Sequence, residues 1–445
     1  MAEVFPSTPQ AAGLPETLAT VVKWRDLPTP LSEEDFGAAT GELSTVIDSL
    51  AGRSDGTSRG ILATARMVLG NLHRDHGLLD HALPIYDAAA ENPADLDDGT
   101  PRGKQELSNL WINRGLCRFA GGDPEQLPAA LEDFDRAVAL REQLPVDGDE
   151  AARWALAAAL LHRGDALHRL GERDEEARAA YDTAIGHLRQ LPYLENPAAL
   201  QRLALACANR GLVAADHDEA RRYFDECIAL LPSPQNPPQL VTLCNALLNR
   251  GRHSLQVAGD PDATAADARR VLELVGAHER NHPSPAELAL QARHLLAHSL
   301  VGWLDESRKG AGLAEDWISD ATDAVEEALA VERHWEQLGF DGLRPLACEL
   351  FQLGLHVYRV CQPHFFADFL VEAMDPEMSP GAPFADPGFQ GAAARALRQA
   401  VNETAKRAAA ATLEPEQVEK QQRILLTLRA ADHRLAELQQ SMAAV

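Results

Sequence analysis

The chain has 445 residues, which is more than a single hydrophobic core usually serves, so a repeat array or several domains is expected. Aromatic residues make up only 5% of it, and 67 acidic against 41 basic residues give a formal net charge of −26. This charge argues against binding to nucleic acid or to anionic membranes, and it favours a basic protein or peptide as partner, or solubility alone.

Residues 1–30 contain prolines at five positions and are expected to form a flexible N-terminal arm. The early Glu3, with no basic segment and no apolar run beside it, argues against a secretory signal. No apolar run approaches the ~20 residues that a membrane-spanning helix needs. The sequence therefore predicts a soluble, cytoplasmic protein.

Residues 31–59 are expected to form a capping helix followed by a loop. Ser32 and Asp35 form the pattern of a helix N-terminus, in which the side chain of the first residue accepts a hydrogen bond from the first turn. The helix is expected to continue to about Leu50, before a stretch rich in turn-forming residues.

A pattern of small and aromatic residues then repeats along the chain. In its first copy Gly70, Ala82, Tyr86 and Ala89 are 12, 4 and 3 residues apart. A small residue lets two helices approach closely, and an aromatic residue of the second helix fills the gap between them. Later copies are Gly115 with Ala130, Phe134 and Ala137; Gly164 with Ala177, Tyr181 and Ala184; Gly211 with Ala220, Phe224 and Cys227; a weaker one from Gly251 to Val271; and a second-helix pattern at Ala321, Val325 and Ala328.

An Asn-Arg-Gly or His-Arg-Gly step recurs at residues 113–115, 162–164, 209–211 and 249–251, and it resembles the bacterial tetratricopeptide repeat (TPR) family. The glycines from Gly70 onward are 45, 49, 47 and 40 residues apart, against roughly 34 in the basic TPR unit, so longer helices or loops are expected.

The resemblance implies an all-α fold. It is an α-solenoid of TPR-like antiparallel helix hairpins in a right-handed superhelix, with capping helices at its ends. The solenoid is expected to span residues 60–372, with about six to seven helix pairs.

Residues 373–445 are expected to form a linker and a C-terminal helical hairpin. In the last helix the apolar residues are spaced 4, 3, 4, 3 and 4 apart, which is a heptad seam; they are Ile424, Leu428, Ala431, Leu435, Leu438 and Met442. The favoured interpretation is a cap on the solenoid. The alternative is a homodimer formed through residues 415–442.

The TPR resemblance also implies a concave groove, lined by the first helix of each pair, that binds a partner peptide or protein. Early groove positions such as Met67 and Ala158 are apolar, so a full basic clamp for a terminal carboxylate is not expected. The candidate peptide-binding residues, for which a structural or solvated role is the alternative, are Asn71, Arg74, Asn113, Arg169, Asn209, Asn249 and Arg252.

Histidines raise the question of a metal site, both at His73, His76 and His81 and at the i,i+4 pair His294 and His298. The segment HLLAH lacks the glutamate of a zinc protease, and no nearby cysteine or aspartate completes either set. The prediction is therefore no metal and no cofactor.

Catalytic motifs are missing as well: the sequence has no GxSxG elbow and no phosphate-binding GK[ST] loop, so no catalytic residue is assigned and the chain is not expected to be an enzyme. The six cysteines are expected to be buried small apolar residues. The preferred function is a protein-interaction scaffold or adaptor. The alternative is a peptide- or ligand-responsive regulatory sensor whose terminal helices give the output.

Overall fold

The computed structural model describes residues 13–27, 30–171, 173–276, 283–307, 349, 352–353, 356, 387–409 and 415–443. Its residues divide into two compact units, 1–214 and 215–445. The helices of the first unit are α1 (Leu14–Arg25), α2 (Glu33–Leu50), α3 (Gly56–Asp75), α4 (Leu79–Ala90), α5 (Pro101–Ala120), α6 (Leu127–Arg141), α7 (Glu150–Leu170), α8 (Asp174–Leu188) and α9 (Pro197–Leu212).

The second unit is helical as well. Its described helices are α10 (His217–Leu230), α11 (Pro237–His253), α12 (Pro261–Val275), α13 (Pro283–Ser307), α14 (Pro387–Ala408) and α15 (Pro415–Ala443). A short π-helical turn, Ser254–Ala258, extends α11. None of the described helices is both long and apolar enough to span a bilayer.

Consecutive helices pack as pairs: α3 with α4, α5 with α6, and α7 with α8 in the first unit, and α11 with α12 and α14 with α15 in the second. In the first unit the first helices of successive pairs also touch, α3 against α5, α5 against α7 and α7 against α9. This succession of stacked hairpins is the architecture of an α-solenoid, so the predicted fold class is confirmed.

The repeated glycines take the role predicted for them. A Cβ atom built on Gly70 would lie 2.7 Å from the ring of Tyr86, and one on Gly164 would lie 2.6 Å from the ring of Tyr181. Gly115 stands in the same relation to Phe134, at 2.7 Å. The three aromatic side chains are almost fully buried, so each ring lies flat against a helix backbone that only glycine leaves open.

The later copies are described in part. Phe224 is buried on α10, but the residue nearest to Gly251 is Leu295 of α13, whose Cδ2 would be 2.8 Å from an added Cβ. In the earlier pairs an aromatic residue of the second helix fills this space. Here a leucine of α13 fills it, and not a residue of α12. The second-helix pattern at residues 321–328 lies outside the described residues.

The expected flexible arm over residues 1–30 does not extend to Leu14–Arg25, which forms α1. Val21 and Trp24 are buried against α2 and α3, and the Trp24 indole donates a 2.7 Å hydrogen bond to Glu42. Burial of these two apolar side chains stabilises the helix, whereas the proline content of the segment had indicated a flexible arm. As expected, Ser32 caps the next helix by accepting a hydrogen bond from the Asp35 amide.

The C-terminal helices α14 and α15 form a hairpin. Three residues of the heptad seam, Ile424, Leu428 and Ala431, are buried within the chain. Leu397 of α14 is also fully buried. The seam is therefore covered inside the chain at these three positions, while the side chains of its last three residues lie outside the described part.

Candidate binding face on the first helices

An aspartate directly follows the aromatic residue in four helix pairs, and it contacts the arginine that precedes the glycine of the next pair. The Asn-Arg-Gly step is thus partly a structural element, because its arginine joins one hairpin to the following one. The sequence interpretation missed this role, although the aspartate is visible in each of the first four copies. The contacts are Asp87–Arg114 at 3.3 Å, Asp135–Arg163 at 2.6 Å, Asp182–Arg210 at 2.8 Å and Asp225–Arg250 at 2.5 Å.

Three of the predicted groove residues meet in one network between α3 and α5. Asn71 Oδ1 accepts hydrogen bonds from the Tyr86 hydroxyl at 2.7 Å and from Asn113 Nδ2 at 2.8 Å. Arg74 Nη1 donates to Asn113 Oδ1 at 2.6 Å, and its Nη2 donates to Asp75 at 2.6 Å. These half-buried side chains satisfy one another, so they fix how the two hairpins stack.

A second network of the same form lies two pairs later. Asp165 occupies the position of Asn71, and its Oδ1 accepts from the Tyr181 hydroxyl at 2.6 Å and from Asn209 Nδ2 at 2.9 Å. Burial raises the pKa of Asp165, although the two donors oppose that shift. Where the aromatic residue is phenylalanine, the residue after the glycine is leucine instead, as at Leu116 and Leu212.

The remaining candidates belong to neither network. Arg169 is exposed and donates to the Phe119 carbonyl at 3.0 Å, with its guanidinium over the Phe119 ring. In the second unit Arg252 donates to Asn249 Oδ1 and to Gln291 Oε1, both at 2.9 Å. The structure therefore brings together some of the predicted residues and leaves these apart.

Three arginines lie near His162, and of these the sequence had singled out only Arg74. The His162 ring stacks on Phe134 at 5.7 Å. Burial, reinforced by the charges of Arg202, Arg141 and Arg74, lowers the pKa of His162 to about 4. The imidazole is therefore neutral at neutral pH, while the positive charge of this region is carried by the arginines.

Among the described residues, Arg141 and Arg202 have no carboxylate partner. Buried Arg141 donates to Ser108 Oγ at 3.0 Å, to Asn109 Oδ1 at 2.8 Å and to the Ala155 carbonyl, all neutral acceptors. Burial lowers its pKa to about 10. The Arg202 guanidinium lies 4.4 Å from the centre of the Trp154 ring, and burial lowers its pKa too. Within the described ranges neither arginine forms an ion pair with an acid.

This region lies in the first unit, between α5, α7 and α9. Arg141 is the last residue of α6 and reaches the side chains of α5 and the backbone of α7, while Arg202 projects from α9 toward α7. In a chain with a net charge of −26, these two arginines, one buried and one partly exposed, place positive charge between the helices without an acidic partner among the described residues. We call Arg141, His162 and Arg202 the arginine face.

The histidines considered as metal ligands fall in two settings. His76 packs against the ring of Phe36 at 4.0 Å, and His73 stacks on His81 at 5.7 Å, so the first group forms an aromatic cluster beside α2. His294 and His298 have ring centroids 4.6 Å apart. The side chain of Glu349 lies against this second pair.

No protein-family model matches the sequence, and no curated protein does either. Among solved structures, BtubC (BKLC) from P. vanneervenii is 17% identical over 61% of this chain and 94% of that one, with a TM-score of 0.41. A Rap protein complexed with competence and sporulation factor is 12% identical over 95% of this chain and 99% of that one, with a TM-score of 0.39. TM-scores this low do not establish a shared fold. The helical-repeat fold therefore rests on the helix pairs described above, and membership of the TPR family stays a prediction.

Proposed function

We propose that the chain is a protein-interaction scaffold that binds an acidic segment of a partner protein on the arginine face. The observation that carries the proposal is the pair Arg141 and Arg202, whose described hydrogen-bond and ring partners are neutral. Arg202 is partly exposed and would contact the segment, while buried Arg141 adds its positive charge nearby. Binding along the first helices of successive pairs is also what the TPR resemblance implies for the fold.

An acidic segment should bind here because the local dielectric is low. A guanidinium that is partly removed from water gains more from a carboxylate than one in bulk solvent does, and its planar donors match the two oxygens of that group. The pKa of Arg141, although lowered to about 10, leaves it charged at neutral pH. The net charge of the whole chain favours a basic partner. Binding, however, depends on the charge at the site of contact, and that charge is positive here.

In this role the chain is a binding protein that performs no reaction of its own. His162 would then serve as a neutral packing surface and hydrogen-bonding group beside the bound segment. The half-buried networks around Asn71 and Asp165 would fix the spacing of the helices that present this face.

The experiment measures fluorescence anisotropy of two labelled peptides of equal length, one rich in Glu and the other in Lys, against the intact chain. The acidic peptide should bind, with an affinity that falls as salt is added. Arg202→Gln should weaken binding about tenfold, the scale of one lost charge-assisted interaction.

The matched control is Arg222→Gln. Arg222 also lies over an aromatic ring, that of Tyr223 at 4.8 Å, but it is exposed and belongs to the second unit. This variant should bind the acidic peptide as the parent does. Tighter binding of the basic peptide, or equal losses in the two variants, would overturn the proposal.

A further inference from the structure

Two histidines on α13 and a glutamate from a later segment converge in the second unit. His294 and His298 are four residues apart and therefore lie on one face of the helix. Glu349 Oε2 is 3.1 Å from His294 Nε2, and Glu349 Oε1 is 3.4 Å from His298 Nε2. We propose that these three side chains bind a divalent transition-metal ion of the zinc type.

The distances suit such an ion. One ligand atom from each side chain lies within 4.8 Å of the other two. Bonds of about 2.0–2.2 Å in tetrahedral geometry separate ligand atoms by roughly 3.3–3.6 Å. The two nitrogen–oxygen distances lie within a few tenths of an ångström of that range, so small side-chain shifts would complete the geometry.

His294 gives a second, independent observation. Its Nε2 is shielded from water and lies 3.1 Å from a Glu349 carboxylate oxygen, but in the described part of the chain this contact does not have the geometry of a regular hydrogen bond. A short but misaligned contact is expected when both atoms point toward a common third centre.

A plain ion pair accounts for the arrangement less well. Each carboxylate oxygen faces a different imidazole, and the two rings are 4.6 Å apart at an interplanar angle of 79°. A dication bound by two neutral imidazoles and a carboxylate satisfies all three groups at once.

The donor set selects the class of metal. Two nitrogens and one oxygen suit Zn²⁺ and Co²⁺, whereas Mg²⁺ and Ca²⁺ prefer oxygen ligands alone. The Glu349 side chain is 54% exposed and that of His298 is 37% exposed, so a remaining coordination position would face water. The sequence could not reveal this set, because Glu349 lies 55 residues after His294.

The experiment is equilibrium dialysis of the intact chain against Zn²⁺, followed by titration with Co²⁺ read by visible absorption, which is stronger for four-coordinate than for aqueous Co²⁺. About one equivalent of metal should bind, and Zn²⁺ should raise the melting temperature by mass action. His298→Gln and Glu349→Gln, both at partly exposed positions, should each weaken binding by at least about tenfold, since even outer-shell changes cost that much.

The control is His253→Gln, which alters a different histidine pair. His253 and His217 have Nδ1 atoms 3.3 Å apart, and the described residues supply no third ligand group there. This variant should keep the metal. The proposal would be overturned if the parent chain bound no equivalent of metal. It would also be overturned if His253→Gln lost metal binding while Glu349→Gln kept it. Arg202→Gln should bind metal normally, which separates this site from the arginine face.

Discussion

Arg210 of α9 donates two hydrogen bonds to the carboxylate of Asp182 on α8, from Nε to Oδ1 at 2.8 Å and from Nη2 to Oδ2 at 3.3 Å. The Arg210 side chain is only 4% exposed, whereas that of Asp182 is 47% exposed. A nearly buried cation thus reaches outward to a half-exposed acid on the preceding hairpin. Because the same relationship recurs at three other steps, it is a structural rule of the repeat.

The substitution Asp182→Asn should therefore destabilise the fold more than a surface change does. It leaves a buried guanidinium with a weaker acceptor, and because the acid is half exposed we expect a loss of about 1–2 kcal/mol. Urea unfolding measures this value. Asp48→Asn, at an exposed site on α2, should change stability by less than about 0.5 kcal/mol. Equal effects of the two substitutions would contradict the rule.

Much of the fold was readable from the sequence because its determinants are local. The glycine of the first helix and the aromatic residue of the second lie within one hairpin, so spacing alone predicted their contact, as at Gly70 with Tyr86. The partner of each arginine was harder to infer. Asp182 and Arg210 are 28 residues apart, and their contact depends on how the next hairpin stacks, which no local pattern states.

The candidate site was equally hard to predict, because it too depends on how the hairpins stack. Asn71 and Asn113 were predicted as groove residues and do lie together, but the structure shows them already bonded to each other. The arginine face was missed, because Arg141 ends a second helix and Arg202 belongs to a hairpin 61 residues later. Only the stacking of α5, α7 and α9 brings such residues together.

Alanine substitutions at two glycines distinguish the effect of packing on stability from the effect of helix propensity. A Cβ at Gly164 would lie 2.6 Å from the Tyr181 ring, so Gly164→Ala forces that buried ring to move, and we expect a loss of about 1–3 kcal/mol. A Cβ at Gly186 on α8 meets nothing within 4 Å, so Gly186→Ala should stabilise by about 0.5–1 kcal/mol. Thermal melts of both variants test the contrast. Changes of the same sign would mean that the ring does not require the glycine.

Asp165 should make stability depend on pH. Its pKa is raised by burial, so between the ordinary carboxyl pKa and this raised value the native state holds more protons than the unfolded state. Stability contributed by this group therefore falls as pH rises through that window. Asp165→Asn keeps the oxygen that accepts from Tyr181 and Asn209, as Asn71 does for Tyr86.

This variant should therefore unfold at higher urea than the parent at about pH 7, and the gain should shrink toward about pH 3, where the parent carboxyl is protonated in both states. Asp48→Asn, measured in parallel, should show no such pH-dependent gain. If Asp165→Asn were less stable than the parent at about pH 7, the carboxylate charge itself would be needed by the network.

The buried thiols should resist alkylation while the chain is folded. Burial raises the pKa of Cys117 to about 11 and those of Cys227 and Cys244 to about 12, and Cys207 is fully buried. The thiolate is the reactive form, so at about pH 8 these groups are both shielded and almost entirely protonated. Iodoacetamide followed by peptide mass spectrometry should label none of the four in the native protein and all of them in guanidinium chloride. Labelling of Cys117 or Cys244 before unfolding, at the rate of a model peptide, would show that the stacked hairpins open locally far more often than their buried cores imply.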